Sequence, residues 1–275
     1  MSPHDRSSKG GSKVVSLSGR SSTLASAHSA SVDNPHRANR VLAALNLADF
    51  GILEPHLHLV ELRQGEILYE AGDTIQHAYF PHQSMICLVA VLEEGASAEV
   101  AVFGSEGVMG FATSLVTRVS FGRYIVQVPG TASRIATGPL RNAVDARPDV
   151  RHILLRYTEA LLAQTFQTVA CNAVHPVEAR CCRWILATLD RAEREDLPLT
   201  HEFLGEMLGV QRPTVSLITR SLQNAGLIRQ GRGVITVVDR DGLEEAACGC
   251  YRAIRRSFER LLPGTYGSKG EVYDP

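Results

Sequence analysis

Arg212, Arg220, Arg229 and Arg232 fall within a stretch, Met207 to Val238, that contains no Asp or Glu. A guanidinium is always charged, and its fork of N–H donors matches phosphate oxygens or the O6 and N7 edge of guanine. A surface with such groups and no carboxylates is attracted to a polyanion, above all to duplex nucleic acid. Gln211, Thr214 and Ser216 lie beside Arg212 and add uncharged hydrogen-bonding groups. The candidate contact set is therefore Gln211, Arg212, Thr214, Ser216, Arg220, Arg229 and Arg232. In it, Arg229 and Arg232 are read as phosphate contacts, which position without specifying.

The other reactive residue types carry weaker signals. The six cysteines, at 87, 171, 181, 182, 248 and 250, have no spacing that makes a disulfide framework or a four-ligand zinc site. Cys181-Cys182 and Cys248-x-Cys250 fall on predicted helices, where adjacent residues point about 100° apart, so they read as small packed thiols and no metal ligand is assigned. His56 and His58 would share a strand face; with His77 and His82 they read as packing or surface residues. No nucleophile elbow, P-loop or zinc-protease motif is present, so no catalytic residue is assigned and an enzyme is disfavoured.

The arginines need a scaffold, and the flanking residues supply one. Thr200 is a helix cap before Phe203, Leu204, Met207 and Leu208, which recur at helical spacing. Gly209 stops that helix. A second begins at Arg212, tolerates Pro213 in its first turn, and buries Val215, Ile218 and Leu222 before Gly226. Two β-prone runs, Leu227–Gln230 and Val234–Val238, flank the turn Gly231-Arg232-Gly233. The pattern is a winged helix-turn-helix.

Upstream, residues 1–33 are Ser-rich and poor in large apolar groups, which predicts a disordered tail. Helical patterning over residues 38–54 gives way to short β-prone runs at Leu57–Leu62, Glu66–Tyr69, His77–Phe80, Met85–Leu92, Ala98–Phe103, Arg123–Val128 and Ala132–Ala136, separated by Gly-containing turns. A helix follows from Arg141 to Asn172, interrupted near Pro148, then another over Val177–Ala192 with Trp184 as a core anchor. A last helix, Leu243–Leu262, carries Arg252, Arg255, Arg256 and Arg260, which read as a solvated face or, alternatively, as DNA contacts, and residues 263–275 read as a loose tail. With 44% apolar residues the chain is ample for a core, yet no apolar run approaches the ~18 residues that span a bilayer. No membrane partner is expected, and the style of the chain is cytoplasmic.

Two motifs carry a family resemblance. LGVQRPTVSLITRSLQNAGLI, from Leu208, resembles the helix-turn-helix of the Crp/Fnr bacterial transcription regulators. Gly65-Glu-Ile-Leu68-Tyr-Glu-Ala-Gly72-Asp73 resembles the G-x-x-L-x-x-x-G-D run of cyclic-nucleotide-binding β-rolls. The resemblance covers residues 38–262. It implies an α+β chain with a cyclic-nucleotide-binding-like β-roll over 34–145, a long dimerisation helix over 146–173 and a winged helix-turn-helix domain over 174–262.

It further implies a homodimer paired through Leu154, Leu161, Leu162 and Phe166, placing two recognition helices in successive major grooves of a near-palindromic duplex site. Contact with RNA polymerase is also implied, and no residue locates it. Arg212 aligns with the family arginine that contacts guanine, but Pro213 and Leu217 replace a Glu and a second Arg, so the half-site should differ.

The effector is left unknown. The equivalent of the ligand cradle comprises Gly107, Met109, Gly110, Arg123 and Tyr124. Val108 or Phe111 stands where a ribose-binding Glu is expected, and Tyr124 replaces a small hydroxyl residue beside the phosphate Arg, which argues against a cyclic nucleotide. Residues 1–86 hold no cysteine, which argues against the family's N-terminal iron–sulfur cluster. The rival class is a ligand-binding β-roll protein whose helix-turn-helix makes protein contacts.

Overall fold

The computed structural model describes residues 34–95, 97–192, 194 and 196–266; the Ser-rich segment 1–33 and residues 267–275 lie outside them. Two short helices open the fold, α1 (Arg40–Ala43) and α2 (Leu47–Leu53), capped by Asn39 and Asn46, whose side-chain oxygens accept first-turn amides. Seven strands follow: β1 (His58–Leu62), β2 (Ile67–Tyr69), β3 (His77–Pro81), β4 (Met85–Val91), β5 (Ser97–Phe103), β6 (Arg123–Val128) and β7 (Gly130–Ala136). The short helix α3 (Phe111–Ser114) lies between β5 and β6. Every predicted run is a strand, and the largest shift of an end is from Ala132 to Gly130. All pairings are antiparallel, in two sheets of order β1-β7-β3 and β2-β6-β4-β5.

β4 is buried on both faces because it serves two cores. Ile86 and Leu88 point into the roll, with Phe80, Phe103, Val126 and Ile135. Met85, Cys87 and Val89 point outward, where they meet Trp184, Ile185, Leu204 and Leu208 of the C-terminal part. This alternation is the period-2 rule of a strand applied between two apolar layers.

After β7 come α4 (Thr137–Ala146) and α5 (Pro148–Val174). Arg147 between them is extended, as a residue before proline prefers to be. The 27 residues of α5 make a rod of about 40 Å. One face is buried: Val150, Leu154, Tyr157, Ala160, Gln164, Thr168 and Cys171. The expectation that Leu154 belongs to a dimer seam is corrected here: it is a core residue of its own chain. Leu161 is half-buried and packs against the same core. Leu162 and Phe166 are exposed, at 51% and 69%, in line with Leu155 and Val169.

The remaining elements are α6 (Val177–Ala192), β8 (Asp196–Leu197), α7 (His201–Leu208), α8 (Arg212–Asn224), β9 (Ile228–Gln230), β10 (Ile235–Val237), α9 (Arg240–Ala246) and α10 (Cys250–Leu261). The two-residue β8 makes the wing a three-stranded sheet, β8-β10-β9. The predicted last helix is two helices, broken at Ala247–Gly249. α10 lies along α5, its Phe258 ring 6.5 Å from that of Tyr157. Its arginines are not all a solvated face, since Arg255 donates to Tyr251 and faces Asp190. Residues 263–266 are not a loose tail either: Thr265 is buried and the Tyr266 ring sits 6.2 Å from Phe258.

A buried ion pair fastens α6 to the roll. Arg191 Nε lies 2.7 Å from Glu106 Oε1, with the two side chains 2% and 1% exposed. Arg191 also donates to Gln164 of α5 at 2.6 Å. Its stem crosses Gly104, where a Cβ would stand 2.6 Å from Arg191 Cβ, so the approach requires glycine. Nearby, Trp184 Nε1 donates to Glu99 at 3.0 Å, so this anchor is also polar. Burial raises the Glu99 carboxyl above its ordinary value.

Arg191→Met should cost about 3–5 kcal/mol in denaturant unfolding, because it strands a buried carboxylate. Adding Glu106→Gln should recover part of that loss. A loss for the single variant within the scatter of surface substitutions would show that the pair does not fasten the layers.

His82 generates a pH dependence. It is buried between Thr131 and Ser133, and Ser133 also contacts His36. Burial first, and the neighbouring His36 second, lower its pKa from 6.5 to about 4. The unfolded chain therefore binds the proton first, and the contribution is complete above about 6.5 and lost as pH falls toward 4. Thermal midpoints should fall through that window, less steeply for His82→Gln; equal slopes would remove His82 from the account.

Candidate nucleic-acid interface

The first helix of the motif, α7, starts where the sequence predicts. Thr200 Oγ1 accepts the Phe203 amide at 3.2 Å, and Leu204, Met207 and Leu208 are buried. Gly209 ends it at φ +65°, a left-handed conformation suited to glycine. The turn is tight: a Cβ on Gly205 would lie 2.8 Å from the Val210 carbonyl oxygen. α8 then begins at Arg212 with Pro213 in its first turn and buries Val215, Ile218, Thr219 and Leu222.

The opposite face of α8 is open. Arg212, Pro213, Leu217 and Arg220 are exposed and Ser216 is half-buried, and these five line one shallow depression. Gln211 is exposed at the N-cap, and Thr214 is half-buried. In the wing, Arg229 is exposed on β9 and Arg232 on the turn to β10. Among the described residues, none of Arg212, Arg220, Arg229 and Arg232 has an ion pair or side-chain hydrogen bond, while Arg191, Arg240 and Arg255 are all committed to internal carboxylates. The fold thus gathers Arg212, Ser216 and Arg220 around one depression, and the Arg212 end of α8 and the wing turn border a common groove.

His201 was missed by sequence reading. Its Nδ1 lies 3.0 Å from Ser216 Oγ, and its Nε2 lies 2.8 Å from Gln230 Oε1 and 3.2 Å from Thr219 Oγ1. The first helix thereby ties the recognition helix to the wing. A lone histidine at a helix start gives no pattern that announces this. Ser216, a predicted contact, is held by His201 and by the Arg212 carbonyl.

The predicted effector residues are placed differently. Arg123 donates to both Glu70 oxygens at 3.0 and 3.1 Å. Tyr124 is buried, with its ring 5.8 Å from Phe103 and 6.5 Å from Tyr69, and burial raises its pKa to about 12. Met109 is a core residue bonded through its backbone to Tyr79. Gly110 starts the short helix α3 with φ +84°, and Gly107 lies against Tyr157. Two of the five are thus packing residues, and the arginine already holds a carboxylate.

The six cysteines are all buried thiols, as the sequence suggests. Cys181 and Cys182 are core thiols whose pKa values burial pushes up. Cys248, however, lies in the break before α10, and Cys250 starts that helix. With Cys171 and His175, at the end of α5, they form a group whose donor atoms all lie within 4.8 Å of one another. Tertiary folding joins two pairs that are far apart in sequence, which local spacing does not reveal.

A winged helix-turn-helix with an unpaired basic face, carried on a β-roll, defines a DNA-binding protein. A Crp-like helix-turn-helix domain matches residues 179–246. The transcriptional regulator SdrP of Thermus thermophilus is 25% identical over 196 residues, covering 66% of this chain and 93% of its own. The global nitrogen regulator of Synechocystis sp. is 24% identical over 184 residues, covering 63% and 81%. The structure of FixK2 from Bradyrhizobium japonicum superposes with a TM-score of 0.60 at 17% identity, covering 70% of this chain and 98% of that one. The chain carries a Crp-like helix-turn-helix domain and is a DNA-binding transcription regulator similar to those of the Crp/Fnr family. Among the described residues, no helix is long and apolar enough to cross a membrane.

Arg212→Ala should cost about 1–3 kcal/mol on a specific site and relax preference at one base pair. Arg232→Ala should weaken all duplexes alike and lower the salt slope by about one. Titrations on specific and random DNA over a range of salt concentrations check both; equal losses on the two DNAs for both variants would abolish the distinction.

Proposed function

We propose that this protein is a sequence-specific cytoplasmic regulator that works as a homodimer on a near-palindromic site. The observation that carries the reading is the set of four unpartnered arginines on α8 and the wing, with no carboxylate between Met207 and Val238. α8 enters the major groove with its N-terminal end foremost. Arg212 faces a base edge, with Gln211 and Thr214 beside it, while Arg220, Arg229 and Arg232 hold phosphates. Pro213 and Leu217 offer that groove apolar surface, which suits a thymine methyl rather than a second guanine.

α5 supports the dimer. Leu155, Leu162 and Val169 recur every seven residues on its exposed face, with Phe166 between the last two. That is the seam of a two-stranded coiled coil, in which each side chain fills a hole on its twin. Pairing would set the two copies of α8 about one helical turn of DNA apart, ~34 Å.

The roll is the sensing layer of this reading, and its effector is not a cyclic nucleotide bound in the usual cradle. A cyclic phosphate would have to displace Glu70 from Arg123, and Tyr124 fills the space beside it. The small cavity lined by Glu99, Gln164, Arg183 and Tyr251 has about 20 Å³, room for a water.

Selection from random duplex DNA with the ligand-free full chain should enrich a near-palindrome. Absence of any duplex affinity at low salt would sink the reading. Phe166→Glu should yield a folded monomer by sedimentation and lose tight binding to the full site. Leu154→Glu should instead destabilise the fold, since that residue is 2% exposed. A Phe166→Glu protein that remains a dimer would move the interface away from α5.

A further inference from the structure

The donor atoms of Cys171, His175, Cys248 and Cys250 converge where three segments of chain meet. Cys171 lies in the last turn of α5, and His175 is the residue that ends it, four positions later, one helical turn along the same side. Cys248 and Cys250 arrive from the break between α9 and α10. The Cys248 amide also points to the Ala179 carbonyl of α6, so the first helix of the DNA-binding part abuts the group.

The distances have the scale of a coordination shell. Cys171 Sγ and Cys248 Sγ are 3.4 Å apart, and Cys250 Sγ and His175 Nδ1 are 3.5 Å apart. Metal–sulfur bonds of ~2.3 Å and metal–nitrogen bonds of ~2.0–2.1 Å on a tetrahedron put neighbouring sulfurs about 3.8 Å apart and sulfur and nitrogen about 3.5 Å apart. All four donor atoms lie within 4.8 Å of one another, so a central ion needs the widest pair to close by no more than about 1 Å.

The surroundings fit as well. The three cysteines are buried and His175 is half-buried, which leaves no open ligand position on a broad solvent face. Gln167 Nε2 points to Cys250 Sγ at 3.1 Å, the kind of outer hydrogen bond that orients a thiolate. Three thiolates, a neutral imidazole and a divalent ion sum to −1. The buried Arg183 acts electrostatically on Cys171 and Cys248, and its Nε has no hydrogen-bond partner.

We propose that Cys171, His175, Cys248 and Cys250 bind one divalent metal ion of the zinc class in a closed tetrahedral site. Three sulfurs and one nitrogen select a soft or borderline ion over magnesium or calcium, and a full set of four protein ligands is the pattern of a structural rather than a catalytic site. The ion clamps the end of α5 to α10 across Pro176, and so fixes the angle at which the DNA-binding part leaves the dimer helix. A Cys171–Cys248 disulfide is the rival use of the same sulfurs, but it gives His175, Cys250 and Gln167 no task.

The test uses the reduced full chain and cobalt(II) as probe, with no DNA present, so it is independent of the functional reading. One cobalt per chain is expected, with a thiolate charge-transfer band in the near ultraviolet and the intense visible bands of a tetrahedral ion. Zinc should displace it stoichiometrically. Gln167→Ala should weaken binding about 10–100-fold, and Cys248→Ser should abolish the charge-transfer intensity of at least one thiolate. The proposal is overturned if the wild-type reduced chain takes up no metal at micromolar concentration, gives the pale spectrum of an octahedral ion, or binds equally well with Cys248→Ser. Isolation of a Cys171–Cys248 disulfide whose reduced form takes no metal would also overturn it.

Discussion

The contact between Arg191 and Glu106 holds the architecture together. Removing two charges from water costs several kcal/mol per ion, and only close geometry offsets that cost. Here one guanidinium spans three elements: it pairs with the loop after β5, donates to Gln164 of α5, and belongs to α6 of the DNA-binding part. Such a pair tolerates little displacement, so it selects one packing of roll, long helix and helix-turn-helix. The apolar layer of Met85, Val89, Trp184 and Leu204 supplies the bulk of the attraction, and the ion pair constrains how the layers meet.

That shared layer bears on the proposed role of the roll as a sensor. β5 and α7 are in direct contact, with Ser97 Oγ donating to Glu206. A shift of the four-stranded sheet would act on α7, whose His201 contacts both α8 and the wing. The route is a set of packed elements rather than a flexible linker, so a bistable change in the packing of β4 and β5 would be read as a change in recognition-helix angle.

Local pattern made much of this legible in the sequence. The strands were visible because Gly turns punctuate β-branched runs, and the helix-turn-helix because caps, glycines and apolar spacing agree at each position from Thr200 to Gly226. What stayed hidden was tertiary. Leu154 and Leu162 look alike in a list of apolar helix residues, yet one faces the roll and the other faces out. β8 is two residues long and has no signature of its own. The break at Ala247–Gly249 lies in a run that reads as continuous helix, and the Cys171–Cys248 encounter joins residues far apart in sequence. His201 and the Arg123–Glu70 pair were likewise invisible, since their partners come from other elements.

The two faces of α5 leave it almost no spare side. Its inner stripe is cut to fit the roll and α10, and its outer stripe of Leu155, Leu162, Phe166 and Val169 repeats at the coiled-coil period. Both stripes are indexed to the same helical phase. An insertion or deletion of a single residue in the middle of α5 would rotate everything beyond it by about 100°. It would bring outer-stripe residues against the core and core residues onto the exposed face, and it would swing the attached DNA-reading head around the rod. Length in this helix is therefore under stricter control than composition: an apolar residue can be exchanged for another, but the count between Pro148 and Pro176 is part of the instrument.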